Sequence, residues 1–286
     1  MKAWLATALL GACASSSGIY GDTSPDNPPA FPDETGGGKV DGHLKKVVQG
    51  KGVVMNAPTV VNVYWGAYWP SDAGTADRMV LDGFTSQVGG STWWGITAEY
   101  PDARNAPGAP AQGAPVVVSD SEPPDQKLHS TDVELHQFLD AAFASGALGY
   151  DAETMYAVFS PPGTREPRGE CGHHSYYSTD AVGDGHKHKV IYALIPYLTA
   201  TDADASCAGG ASANGQSLDE ITVTFSHEIA EAVTDPYLDA WGKGSSNEIA
   251  DQCSVGFVAT WGGAQFAVQQ LWSNNAFACI SDPVAQ

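Results

Sequence analysis

The stretch "SLDEITVTFSHEIAEAVTDP", residues 217–236, decides how this chain reads. Ser217 and Glu220 have the spacing of a capping box, in which each side chain answers the other's backbone N–H. Ile221, Phe225, Ile229 and Val233 recur every four residues, so they share one face of a helix that stops before Pro236. His227 and Glu231 are one turn apart on that helix and leave the same side, while Glu228 projects about 100° away.

The core of this segment, "HEIAE", differs by one letter from H-E-x-x-H, where two histidines hold zinc and the glutamate is a general base. A carboxylate oxygen binds zinc at about the same distance as an imidazole nitrogen. His227 and Glu231 are therefore candidate ligands and Glu228 a candidate base. A third ligand is available in "NEIADQC" (247–253), where Glu248 and Asp251 stand 17 and 20 residues beyond Glu231. By analogy, peptidases of the thermolysin type draw a third ligand and its supporting shell from such a downstream segment. The sequence does not choose between Glu248 and Asp251. A site richer in carboxylate raises the pKa of bound water above the ~7 typical of catalytic zinc. Ca2+ is the alternative ion, since it accepts carboxylates readily, and the single histidine favours Zn2+. The bland alternative is an exposed acidic helix that holds no ion.

Outward from this helix, strand and helix signals alternate. "PTVVNVYWG" (58–66), "PVVVS", "TMYAVFS" and "KVIYALIPY" read as short or buried strands. "TADRMVLDGFTSQV" (75–88) reads as a helix with residues 79, 80, 84 and 88 on its apolar face. "STDVELHQFLDAAFASG" opens on a Thr131/Glu134 capping box, aligns Leu135, Phe138, Leu139, Ala142 and Phe143, and ends at Gly146. "GFVAT" and "QFAVQQLW" read as a hairpin turning at "WGG". The fold class is α/β, a mixed sheet with packed helices, the 217–235 segment serving as a zincin-like active-site helix.

Of the chain's five cysteines, Cys171, Cys207, Cys253 and Cys279 make an even set in the globular part and allow three connectivities. Pairing by proximity favours Cys171–Cys207 and Cys253–Cys279. His173 and His174 follow Cys171, so a disulfide there would fix their backbone. His174 is a candidate further ligand, or an imidazole that steadies charge near the metal. His186 and His188 share a face at the start of a strand and read as a solvated strand end. Ser226 lacks the Gly-x-Ser-x-Gly surround of a serine nucleophile. The aromatic stretches "VYWGAYWP" and "STWWG" fit core packing, with a sugar-stacking surface as the alternative.

The net charge of −20, from 13 Lys and Arg against 33 Asp and Glu, argues against nucleic acid and anionic membrane surfaces as partners. "MKAWLATALLGACASSSG" has the Lys, short apolar run and small-residue exit of an export signal, too short to span a membrane. "LGAC" resembles a bacterial lipoprotein box that would leave Cys13 as the lipidated first residue; plain secretion is the alternative. Residues 1–13 are thus read as an export signal ending in the lipobox cysteine. Residues 14–42, rich in Ser, Pro, Gly and Asp, are a flexible tether, and 43–286 one α/β domain.

Several stretches together resemble the exordium-like (phosphate-induced) proteins. They are "VVNVYWGAYWPSD", "FTSQVGGSTWWGITAEY", "CGHHS" before "KVIYALIPY", "SHEIAEAVTDPYLDAW", "NEIADQC" and "VQQLWSNNAFACI", in that order. The resemblance covers most of residues 58–280 and aligns His174, His227, Glu228, Glu231, Glu248, Asp251 and Cys253 with the family pattern. It implies an exported protein acting in the cell wall or extracellular space, and no particular reaction. The Pro-rich tether and the "GDGHKHK" insert depart from the pattern.

The sequence thus reads as an exported zinc-dependent hydrolase, a peptidase first, either secreted or an outer-membrane lipoprotein held only through Cys13. Its expected partner is a peptide or cell-wall-associated substrate. The alternative is a non-catalytic, metal-stabilised binding or signalling protein of the envelope. A glycosidase carboxylate pair is disfavoured, because Glu228 and Glu231 lie on one helix rather than across a cleft.

Overall fold

The computed structural model describes residues 45–124, 128, 131–164, 170–198, 207–242 and 247–283. Cys13 and the 14–42 tether lie outside the described residues. In chain order the elements begin with β1 (Thr59–Trp65), α1 (Asp72–Val88), a 3-10 helix (Trp93–Glu99), β2 (Ala111–Gln112) and β3 (Val116–Val118). There follow α2 (Val133–Ala144), β4 (Thr154–Phe159), β5 (His173–Thr179), β6 (His188–Ile195) and α3 (Gln216–Thr234). The last are β7 (Gly256–Trp261), β8 (Ala264–Gln269), β9 (Leu271–Ser273) and β10 (Ala278–Ile280).

The main sheet has the order β2-β1-β4-β6-β5, with β3 also alongside β1. All its pairings are parallel except the last, where β5 runs antiparallel to β6 and forms an edge. This is the mixed α/β sheet expected. All six residues of β4 are buried, because helices cover both faces and no solvent side remains to favour alternation. Val60, Tyr64, Phe159 and Ile191 pack with Leu81 and Phe84 of α1 and Phe225, Ile229 and Val233 of α3. Val63, Trp65, Tyr156, Val158 and Leu194 face the other way, against Leu135, Phe138, Leu139 and Phe143 of α2.

Local details differ from the expected ones. Met79 is 73% exposed, and the buried ridge of α1 is Leu81, Phe84, Thr85 and Val88. Two residues along a helix is a rotation of about 200°, so Met79 lies opposite Leu81. The Thr131/Glu134 box does not form: Asp132 takes the N-cap position of α2 at φ 54°, with its carboxylate on His173 and Tyr192 instead. The Ser217/Glu220 box is absent too. Helix α3 begins at Gln216 behind Gly215, whose φ of 94° only glycine adopts freely. The β7–β8 hairpin turns on Gly262 and Gly263, both at positive φ, as a tight hairpin turn requires. "QFAVQQLW" divides at Gln270, and β9 pairs with β10 instead of continuing β8.

The disulfides are Cys171–Cys207 and Cys253–Cys279, the proximity pairing, with Cα separations of 5.8 and 5.7 Å. They point to folding in an oxidising, extracellular environment. Among the described residues no helix is long and apolar enough to cross a membrane. Trp65, Trp69, Trp93 and Trp94 are all buried, so the aromatic stretches build core and not a sugar platform.

Candidate metal centre

Helix α3 is buried on every side from Asp219 to Thr234. The sheet lies to one side of it and β8 to another. The helix is therefore buried and not the exposed one of the bland reading. Glu228 and Glu231, each 3% exposed, are held in the interior, where a carboxylate must be paired or lose its charge. Edge strand β5 supplies one partner. Its alternation sends His174 toward α3, while His173 turns to the α2 side, where Nε2 lies 3.0 Å from Asp132 Oδ2.

His174 Nδ1 lies 3.4 Å from Glu228 Oε2 and 3.6 Å from Glu231 Oε2. Its Nε2 faces the Asp235 carbonyl at 3.4 Å and Glu248 Oε1 at 3.6 Å. One turn away along α3, His227 Nε2 lies 3.1 Å from Glu231 Oε2 and 3.7 Å from Asp251 Oδ1. Ligand atoms of His227, Glu231 and Asp251 all fall within 4.8 Å of one another, as do those of His174, Glu228 and Glu231. His174, Glu228 and Glu231 thus form one group and His227, Glu231 and Asp251 a second, with Glu231 common to both and Glu248 beside His174.

The structure separates the two candidate third ligands. Asp251 reaches His227, and its Oδ2 accepts the Glu248 backbone N–H at 2.9 Å. Glu248 is turned inward, 2% exposed, toward the far side of the His174 ring. Asp251 is the outermost acid of the cluster, its side chain 23% open to solvent.

Gln269, at the end of β8, was not singled out from the sequence, and a lone glutamine in "AVQQLW" carries no signal. It is 2% exposed, and its Nε2 donates to the Ala250 carbonyl at 2.9 Å and to that of Cys253. Those two carbonyls orient the amide, so Gln269 Oε1 must be the acceptor facing His227 Nδ1 at 3.1 Å. The Nδ1 proton is thereby fixed, and the Nε2 lone pair is aimed at Glu231 and Asp251. A lone pair and two carboxylates converging in this way need a proton or a cation among them. The Ser226 hydroxyl donates to the Val223 carbonyl at 2.6 Å and accepts the Gln269 N–H at 2.9 Å, a structural role. Asp235 was also missed. Its Oδ1 accepts the N–H groups of Asp239 and Ala240, locking the turn that presents its carbonyl to His174.

Burial raises the Glu231 pKa to about 7; the nearby His227 charge opposes this, and Asp251 and Glu228 add to it. Glu248 is raised well above the ordinary carboxylate range, first by burial and then by Glu231 and Asp251. Burial raises the Asp251 pKa, opposed by the His227 charge and by the Glu248 N–H that its carboxylate accepts. For Glu228 burial also raises the pKa, but His227 and the His174 hydrogen bond outweigh it and the net shift is downward. Burial pulls His174 down, yet Glu228 and the charges of Glu231 and Asp235 leave it raised. The adjacent carboxylates thus split into one that ionises readily and one that keeps a proton near neutrality, unless a cation displaces it.

The remaining histidines among the described residues stay apart from this centre. His188 pairs with Asp184 at 2.9 Å and His186 is exposed, as a solvated strand end would be. His136 stacks on Tyr177 and meets the Tyr192 hydroxyl at 3.0 Å on the α2 side of the sheet. Comparison with protein-family models, curated proteins and solved structures finds nothing that matches this chain.

Proposed function

We propose that the protein is an exported metal-dependent hydrolase, a peptidase first, with α3 as a zincin-like active-site helix and a divalent ion on His227, Glu231 and Asp251. The supporting observation is the His227 ring: Gln269 takes its Nδ1, and Nε2 faces two carboxylates at 3.1 and 3.7 Å. One nitrogen and two oxygens suit Zn2+ better than Ca2+, which prefers an all-oxygen shell. An ion held there would lower the pKa of a water at the site. Glu228, ionised and one residue along the helix from His227, is the group to accept a proton from it. His174, 3.4 Å from Glu228, then shares that proton or steadies negative charge on the substrate.

The test is elemental analysis of the purified full chain before and after chelation, alongside turnover of a mixed peptide library. The reading expects bound zinc, activity that disappears with the metal, and a Glu228→Gln variant that keeps the ion on His227 but has no turnover. Cleavage that persists after complete metal removal overturns it. Cys13 carries the envelope assignment, and Cys13→Ser should move the protein from the membrane to the soluble fraction.

The burial of the centre favours a second reading, a metal-stabilised binding or signalling protein without turnover. His174, Glu228 and Glu231 are 5%, 3% and 3% exposed, and of the described residues in the two groups Asp251 is the most open to solvent. Under this reading Glu231→Gln lowers the melting temperature, and wild-type protein loaded with metal cleaves no peptide.

A further inference from the structure

The two groups of ligand atoms at this centre share one residue. Glu231 Oε2 lies 3.1 Å from His227 Nε2 and 3.6 Å from His174 Nδ1, while its Oε1 accepts the Ala250 N–H at 3.2 Å. Each imidazole presents one nitrogen to that oxygen, His227 its Nε2 and His174 its Nδ1. His227 rests its other nitrogen on Gln269 Oε1, and His174 rests its own against the Asp235 carbonyl. A metal-bound histidine commonly donates its second N–H to a carbonyl, amide or carboxylate in this manner. Here two rings do so on either side of one carboxylate.

Glu248 is an independent observation. It is 2% exposed, and its Oε1 has no hydrogen-bond partner among the described residues, although it points at His174 Nε2 from 3.6 Å. Asp235 Oδ2 is buried and likewise lacks a hydrogen-bond partner among them. Glu228, Glu231, Glu248 and Asp235 are each at most 3% exposed around one imidazole. An ion on His227, Glu231 and Asp251 answers the outer side of this cluster; on the inner side the buried carboxyls of Glu228, Glu248 and Asp235 around His174 still need protons or a second cation. Buried charge without compensation is expensive, and a second cation supplies that compensation.

We propose that the centre holds two divalent ions bridged by Glu231, the outer one on His227 and Asp251 and the inner one on His174 and Glu228. This rests on the single-ion reading above and extends it. Glu248, behind the His174 ring, orients that ligand and balances its charge. Mixed imidazole and carboxylate donors suit Zn2+ or Mn2+. Two-ion centres space their ions about 3.5–4 Å apart, a span that one carboxylate bridges. With both positions filled, Glu228 is a ligand in place of the proton acceptor it is in the single-ion reading, and the centre would polarise the attacking and the leaving oxygen together.

The experiment titrates chelator-stripped full-length protein with Zn2+ against a competing indicator, with circular dichroism as a check on folding. Wild type should bind about two equivalents, and His174→Ala and Asp251→Ala about one each. Manganese-loaded wild type should give the multiline electron paramagnetic resonance spectrum of a spin-coupled pair, which decides the question even where a variant does not fold. One equivalent that survives His174→Ala and is lost in Asp251→Ala overturns the second ion and leaves the single-ion reading standing. One equivalent lost in both folded variants, or a manganese spectrum of isolated ions only, overturns the pair as well. No binding to folded wild type sinks both readings.

Discussion

Gln269 Oε1 lies 3.1 Å from His227 Nδ1, joining the end of β8 to the middle of α3 across 42 residues of chain. The same amide is anchored through Nε2 on the carbonyls of Ala250 and Cys253, beside Asp251. One side chain thus sets the tautomer of one proposed ligand and the position of the segment that carries another.

Gln269→Leu, close in volume, should therefore weaken zinc binding by about 10–100-fold, the usual effect of losing a partner that orients a metal ligand. Competition with a chelating dye measures this. Affinity equal to wild type would show that the glutamine does not position His227.

Metal-free protein should lose stability as the pH rises. Glu231 is raised from 4.5 in the unfolded chain to about 7 in the fold, and Glu248 is raised further, so the folded state holds the extra protons. Stability from such groups is complete below pH 4.5 and falls as the pH climbs through 7. The raised His174 pKa acts in the same direction; the lowered Glu228 pKa opposes it only at the acid end. Melting temperatures of chelated protein at pH 5 and 8, with and without zinc, test this. The metal should stabilise much more at pH 8, and equal gains at both values would count against a cation replacing these protons.

Replacing Cys253 and Cys279 together by serine opens a link that spans 26 residues. The cost should be about 2–4 kcal/mol, read from urea unfolding. Metal affinity should fall as well, because the Cys253 carbonyl is one of the two acceptors that hold Gln269. Loss of stability with metal affinity unchanged would separate the disulfide from the site.

Phe225, on the sheet side of α3, contacts Phe84 and Phe159 with ring centroids 5.0 and 5.1 Å apart. Phe225→Ala should destabilise the fold by about 3–5 kcal/mol through lost burial and the cavity left behind. Phe225→Leu should cost much less. The same denaturant titration compares them, and near-equal losses would argue against a tightly packed core at this position.

Periodicity alone determined that α3 is a helix and where it stops, because apolar spacing and Pro236 act locally on the backbone. The strands β1, β4 and β6 were legible for the same reason, and so was the cysteine pairing, from proximity along the chain. Helix geometry also put His227 and Glu231 on one side before any tertiary contact was considered. The caps misled, since Thr131 and Ser217 match a local pattern while Asp132 is drawn to His173 and Tyr192, contacts made only after folding. Tertiary structure alone decided that Asp251 lies beside His227 while Glu248 lies behind His174, and that His174 turns toward α3. It also decided the place of Gln269 beside His227. Those depend on which backbone face a distant strand presents and on carbonyls that no spacing in the chain encodes.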